Sequence, residues 1–316
     1  PLALDKVTLQ VPAGKTVALP FAQVAGSTFR VTVRVVDPYW TLTAATTMVA
    51  VLTSDPYAAI PAPALVTGSG GFNIVPLRSV SGEVLVATAT ASGYAQHNTG
   101  DITVNAGAAV KLLALLPGEQ AAPGKNTSPL GKTDGMTPSA QASNVSFTVT
   151  VRLVDANWNQ VISGGMPAVR VRTPDDNPVQ GGGPYDLEPA TQTLSGGAAG
   201  FVVTMFRASP QTVIAEDVAA FLTPPYQTPA VTVNPGAPVK LQPVAPGETA
   251  VPGKALGTGA ADPTGKTGTP LPATAGVVYS VRLNQTDTYW NVTNTTPTIT
   301  MATNDPYDTE PAPADL

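Results

Sequence analysis

Apolar and polar residues alternate one by one in three separate stretches. In the first, Phe29, Val31, Val33 and Val35 stand against Arg30, Thr32 and Arg34. The second sets Phe147, Val149, Val151 and Leu153 against Thr148, Thr150 and Arg152, and the third keeps Tyr279, Val281 and Leu283 before departing at Gln285. A period of two predicts a β-strand with one buried face. Each stretch runs into the pattern Asp-x-x-Trp, at Asp37/Trp40, Asp155/Trp158 and Asp287/Trp290, which holds the only three tryptophans of the chain. A polar turn follows each tryptophan, and further strands are expected over 48–53, 168–173 and 298–303. Strands are also expected over 72–77, 83–90 and 101–105, and over 201–206, 212–215 and 230–234.

An internal repeat decides architecture before any single residue does. The tryptophans stand 118 and 132 residues apart, a normal domain length. The division is read as domain 1 over 1–108, domain 2 over 109–237 and domain 3 over 238–316, the last incomplete at its C-terminus. Val104-Asn-Ala-Gly-Ala-Ala-Val110 leads straight into Lys111-Leu-Leu-Ala-Leu-Leu116, and Val233-Asn-Pro-Gly-Ala-Pro-Val239 into Lys240-Leu-Gln. No flexible Gly/Ser linker intervenes, so a stiff, extended array is expected. Pro-Gly-Glu recurs at 117–119 and 246–248, and Gly-Lys-Thr at 14–16, 131–133 and 265–267. The third copy stops after the Asp305-Pro-Tyr turn, short of its closing strands. Either the chain is part of a longer repeat protein, or another copy supplies the missing strands head to tail, with residues 1–20 as the donor.

The ordered set of strand, Val-Asp-x-x-Trp, polar turn, Thr-x-Asp-Pro, Pro-Ala segment, Gly-Phe and closing strands resembles the tandem immunoglobulin-like domains of bacterial surface proteins, of the invasin and intimin type. The resemblance implies all-β, Greek-key sandwiches of about seven strands. It implies a spacer, stalk, filament or surface-layer role, or adhesion to a surface glycan or protein through loops at the sandwich ends. It transfers no catalytic residue.

Composition agrees. Charged residues are 12% of 316, about half the usual share, and the net charge is −5 without a Lys/Arg cluster, which excludes a nucleic-acid footprint. The absence of cysteine excludes disulfides and thiolate chemistry. No apolar run reaches the ~20 residues of a membrane span. An extracellular or cell-surface location is expected, with neighbouring copies or a surface glycan or protein as partners. The chain begins at Pro1 without Met or a signal-like run, so it reads as a mature or excised piece.

Candidate chemistry is sparse. The repeated tryptophans are read as structural corners, and the aspartates as turn caps or as calcium ligands: Asp37 with Asp55, and Asp287 with Asp305, Asp308 and Glu310. Gly-Lys-Thr lacks the earlier glycine of a phosphate loop, so it is read as a turn. The sole histidine, His97, lies near Ser92 and Asp101, and Asp186 and Glu188 share one loop; neither set is read as catalytic. Tyr39, Tyr57, Tyr226, Tyr289 and Tyr307 border turns and suit inter-domain packing or sugar stacking. Lys111 and Lys240 are weighed as sources of a Lys–Asn crosslink. Sequons stand at Asn126, Asn144, Asn284, Asn291 and Asn294.

Overall fold

A computed structural model describes residues 20–89, 93–173, 186–255 and 261–316. Every regular element there is a β-strand, in three groups along the chain. The first holds β1 (Gln23–Val24), β2 (Phe29–Arg34), β3 (Thr46–Thr53), β4 (Ala64–Thr67), β5 (Ser69–Ile74), β6 (Val80–Glu83), β7 (Leu85–Ala89), β8 (His97–Asn98) and β9 (Ile102–Asn105). Its sheets run β4-β3-β7-β8, β2-β5 and β1-β9-β6. The stretch expected as one strand over 83–90 begins at Val80 and breaks at Val84, so that β6 joins β9 and β7 joins β3. A register shift between Ser81 and Glu83, with Gly82 at φ 104°, marks the crossing. Residues 1–19 of the expected donor segment lie outside the described residues.

The second group holds β10 (Lys111–Leu115), β11 (Gln141–Ala142), β12 (Ser146–Val154), β13 (Ala168–Arg172), β14 (Asp186–Leu187), β15 (Gln192–Thr193), β16 (Ala198–Met205), β17 (Ile214–Asp217), β18 (Tyr226–Gln227) and β19 (Val233–Asn234). Two four-stranded sheets, β10-β12-β16-β14 and β15-β13-β17-β18, face each other. Val149, Val151, Val169, Val171, Phe201, Val213 and Ala215 fill the space between them, all fully buried. The alternation in β12 therefore does what its sequence asks. Early strands β1 and β11 run parallel to the closing strands β9 and β19 of their own groups. Together these features make an immunoglobulin-like sandwich.

The third group holds β20 (Lys240–Val244), β21 (Glu248–Ala250), β22 (Lys266–Gly268), β23 (Arg282–Thr286), β24 (Thr298–Ile299) and β25 (Ala314–Asp315), paired β20-β23, β21-β22 and β24-β25. The strand expected from Tyr279 begins only at Arg282, and that expected over 298–303 stops at Ile299. The described residues offer β23 no counterpart of β16 and β24 no counterpart of β17. Alternation without a pairing partner does not make a strand.

Candidate functional site: the joints between strand groups

The Asp-x-x-Trp turns begin as local structure. Asp37 Oδ1 accepts the N–H groups of Tyr39 and Thr41 at 2.9 and 2.8 Å. Asp155 Oδ1 does the same for Asn157 and Asn159, and Asp287 Oδ1 for Tyr289 and Asn291. This side-chain bond stands in for a backbone turn. It drives each tryptophan into the left-handed region, at φ 64°, 67° and 67° for Trp40, Trp158 and Trp290. That conformation costs a non-glycine residue about 1–2 kcal/mol.

Packing offsets the cost in the later copies. Lys111 Nζ lies 3.4 Å from the Trp158 ring centroid and Lys240 Nζ lies 4.0 Å from that of Trp290. The same ammonium groups donate to the carbonyls of Ala156 and Thr288. Both lysines thus hold the corner. Gly-Lys-Thr forms the opposite wall. A Cβ on Gly131 would stand 2.7 Å from Trp158 Cδ2, and one on Gly265 would run into Trp290. The following lysines pair with the Pro-Gly-Glu carboxylates, Lys132–Glu119 and Lys266–Glu248, each at 2.7 Å. Two separate motifs thus form one ion pair, buried in the second group and partly exposed in the third. Trp40 has a different neighbour, meeting His97 edge-on at 5.2 Å.

The second carboxylate oxygen reaches out of the turn. Asp155 Oδ2 accepts Gly107 N–H at 2.8 Å, and Asp287 Oδ2 accepts Gly236 N–H at 2.8 Å. Both glycines lie in the segments connecting one strand group to the next. The asparagine after the tryptophan completes the grip. Asn159 Nδ2 donates to Leu77 O at 2.8 Å while its Oδ1 accepts Ser79 N–H at 2.7 Å. Asn291 Nδ2 donates to Phe206 O and its Oδ1 accepts Ala208 N–H, both at 2.7 Å. These asparagines are 0% and 1% exposed. Within the second and third groups Gly124 N–H donates to Asn157 O and Gly253 N–H to Tyr289 O, and across the joint a Cβ on either glycine would strike Arg78 or Arg207. At the second joint Phe206 stacks on Tyr289 with centroids 4.4 Å apart. In the first copy the asparagine position is Thr41.

Asp55 serves the same joint from the preceding group. Its Oδ2 accepts Leu77 and Arg78 N–H, shaping the loop that Asn159 grips, and its Oδ1 accepts Tyr57 N–H. Asp305 accepts Tyr307 N–H in an exposed turn. Among the described residues no three His, Asp or Glu side chains gather. Because these carboxylates are turned toward N–H donors, chelation with EDTA is expected to leave the melting temperature unchanged in differential scanning fluorimetry.

The remaining candidates disperse. Ser92 lies outside the described residues, and so does the side chain of Asp186; Glu188 accepts Thr173 N–H. Tyr289 is buried, Tyr39 and Tyr307 are exposed, and Tyr57 is intermediate. Tyr226 is no sugar platform: it is partly buried edge-on to Trp158 at 6.3 Å. Burial, then the Glu119 carboxylate, pushes its phenol up to about 12. A phenol with a raised folded-state value stabilises the fold below the ordinary tyrosine range of about 10. That contribution fades as pH climbs toward 12; burial and then Asp287 also push the Tyr289 phenol up, so tyrosinate absorbance should show late-titrating groups at Tyr226 and Tyr289 that become ordinary in urea. Burial to 4% and 1% also removes Asn284 and Asn291 from the sequons open to modification.

No family model matches the chain. No curated protein matches it either. Among solved structures, it is similar to domains 5–6 of the S-layer protein SbsC at 14% identity, over 69% of this chain and 94% of that one, with a TM-score of 0.25. It is similar to the Escherichia coli adhesin FdeC at 14% identity, over 88% and 74%, with a TM-score of 0.30. Invasin, a bacterial integrin-binding protein, matches at 13% identity over 87% and 46%, with a TM-score of 0.26. At such scores the likeness carries nothing about function.

Sequence reasoning missed Asn159 and Asn291 as joint residues. The available signal was that asparagine follows the tryptophan in the second and third copies, and threonine follows it in the first.

Proposed function

We propose that the chain is a non-enzymatic structural element of an extracellular or cell-surface protein. In this reading it is a stiff row of immunoglobulin-like units, divided near residues 108 and 237, that holds a distal part away from its anchor. The observation that carries the reading is the repetition of one buried clamp, Asp-x-x-Trp-Asn on the connecting glycine and on the preceding group's backbone, at both joints. Random tethering needs no such device. A stalk, filament or surface layer does, because bending at each joint would waste its length. Assembly with other copies of itself belongs to this reading, including head-to-tail completion of the third group. Adhesion to a surface glycan or protein through end loops is the second reading, favoured by the exposed Tyr39 and Tyr307.

The absence of cysteine makes the test clean. Cysteines placed at exposed Leu65 and Ile162 carry spin labels on either side of the first joint. A single narrow distance distribution is expected, and Asn159→Ala should broaden it while costing about 1–3 kcal/mol through an unsatisfied carbonyl and amide. Equally broad distributions in both proteins would refute the stiff joint.

A further inference from the structure

The outward face of β12 carries Thr148, Thr150 and Arg152, since Phe147, Val149 and Val151 point into the sandwich. The loop over 117–123 passes above this face, and the two border a cavity of about 510 Å³. On its other side β16 places only Gly200 and Ala198 opposite Thr150 and Arg152, so the floor stays low there. The carboxylate in the wall, Glu119, is already engaged. Both its oxygens hold Lys132 at 2.7 Å, and one accepts Leu116 N–H at 2.9 Å.

Arg152 is the residue that packing does not explain. In the same group Lys111, Lys125 and Lys132 donate to carbonyls or carboxylates, and Arg170 and Arg172 both pair with Glu216. Arg152 Nε is shut off from solvent and, among the described residues, meets no hydrogen-bond acceptor. Its cross-strand neighbour is Leu113, whose side chain has no polar atom. The third group shows that this strand position needs no arginine. Asn284 stands there, and its Nδ2 donates to Gln242 Oε1 at 3.1 Å, with Gln242 in the place of Leu113. A buried donor without an acceptor is destabilising, and a ligand that supplies the acceptor is favoured. The Nε–H and a neighbouring Nη–H of a guanidinium form a parallel fork that fits the two oxygens of a carboxylate. Thr148 and Thr150 add two hydroxyls on the same face, at the roughly 6.5–7 Å spacing of alternate strand positions. Each can donate or accept, as a partner for sugar hydroxyls must. We propose that this cavity binds a uronic acid residue of an acidic polysaccharide, with the carboxylate on the Arg152 fork and ring hydroxyls on Thr148 and Thr150. The volume suits about one or two sugar rings. A peptide is the poorer fit, because β12 is paired on both sides, with β10 and β16, and offers no main-chain edge. The inference needs neither the stiff joints nor the end-loop contacts of the adhesive reading.

The test titrates the full chain with digalacturonate, followed by calorimetry and by the NMR signal of Arg152 Nε–H. Galactobiose is the neutral counterpart, and inorganic phosphate and a tetraglutamate peptide are the other anions. Digalacturonate should bind and shift the Arg152 signal. Galactobiose should bind at least about tenfold more weakly, as expected where a charge-assisted pair is lost. Arg152→Gln should weaken digalacturonate by a similar factor, and Arg152→Lys, which keeps the charge without the fork, should restore only part of it. No binding, an unmoved Arg152 signal, equal affinity for galactobiose, or equal affinity in Arg152→Gln each overturns the proposal. So does phosphate or tetraglutamate binding as tightly as digalacturonate, because the hydroxyl contacts would then add nothing. The signal from the unaltered chain decides the matter even where Arg152→Gln fails to fold.

Discussion

Asp155→Ala is expected to lower stability by about 3–5 kcal/mol and to uncouple the first two strand groups. The carboxylate is 1% exposed and accepts from Asn157 N–H, Asn159 N–H, Asn159 Nδ2 and Gly107 N–H. Each buried donor left without a partner costs roughly 1–3 kcal/mol, partly relieved where water enters. The loss has two parts: the turn that holds Trp158 opens, and the connecting segment at Gly107 is released. Asp37→Ala provides the comparison, because its turn bonds involve only Tyr39 and Thr41 and lie in a more open setting. It should cost about 1 kcal/mol. Urea melts of both variants check this, and near-equal losses would show that the reach to Gly107 adds nothing. Exchange of the Gly107 amide in Asp155→Ala reads the uncoupling directly.

Trp158→Ala is the second large effect, about 3–5 kcal/mol in the same melts, because the ring is wedged between Gly131 and Lys111 and covers Leu113, Leu115 and Val154. The backbone adds a finer expectation. At φ 67° an alanine still bears the left-handed cost, and a glycine does not. Trp158→Gly should therefore be no worse than Trp158→Ala, reversing the usual order in which glycine is worse by about 0.5–1 kcal/mol. If the glycine variant melts clearly earlier, the left-handed corner contributes no strain.

Much of this was legible residue by residue. The alternation of Phe147, Val149 and Val151 foretold a half-buried strand because side-chain direction in a strand follows from covalent geometry alone. The repeated tryptophan marked each corner for a similar reason, since a residue so large has few places to go. Gly-Lys-Thr and Pro-Gly-Glu were visible as repeats, but their pairing was not. Nothing local tells Lys132 that Glu119 will lie 2.7 Å away; the two meet because the loop between them folds back across the Trp158 ring. Asn159 and Asn291 were hidden for a deeper reason. Their partners are main-chain atoms of Leu77, Ser79, Phe206 and Ala208, which leave no mark on residue type. The shortened β23 was overcalled because a periodic pattern states which face would be buried and says nothing of whether a partner arrives. Spacing likewise does not reveal that Asp55 directs its oxygens at the amides of residues 57, 77 and 78.

The grip on main chain has a consequence for how such a chain is inherited. Leu77-Arg78-Ser79 at one joint and Phe206-Arg207-Ala208 at the other share only the arginine, yet the asparagine finds the same carbonyl and the same amide in both. A gene segment encoding one unit can be duplicated, lost or exchanged with its neighbour, and the asparagine still finds its carbonyl and amide at the new junction; only the Phe206–Tyr289 stack is particular to one joint. Length then becomes a property that recombination adjusts in whole units.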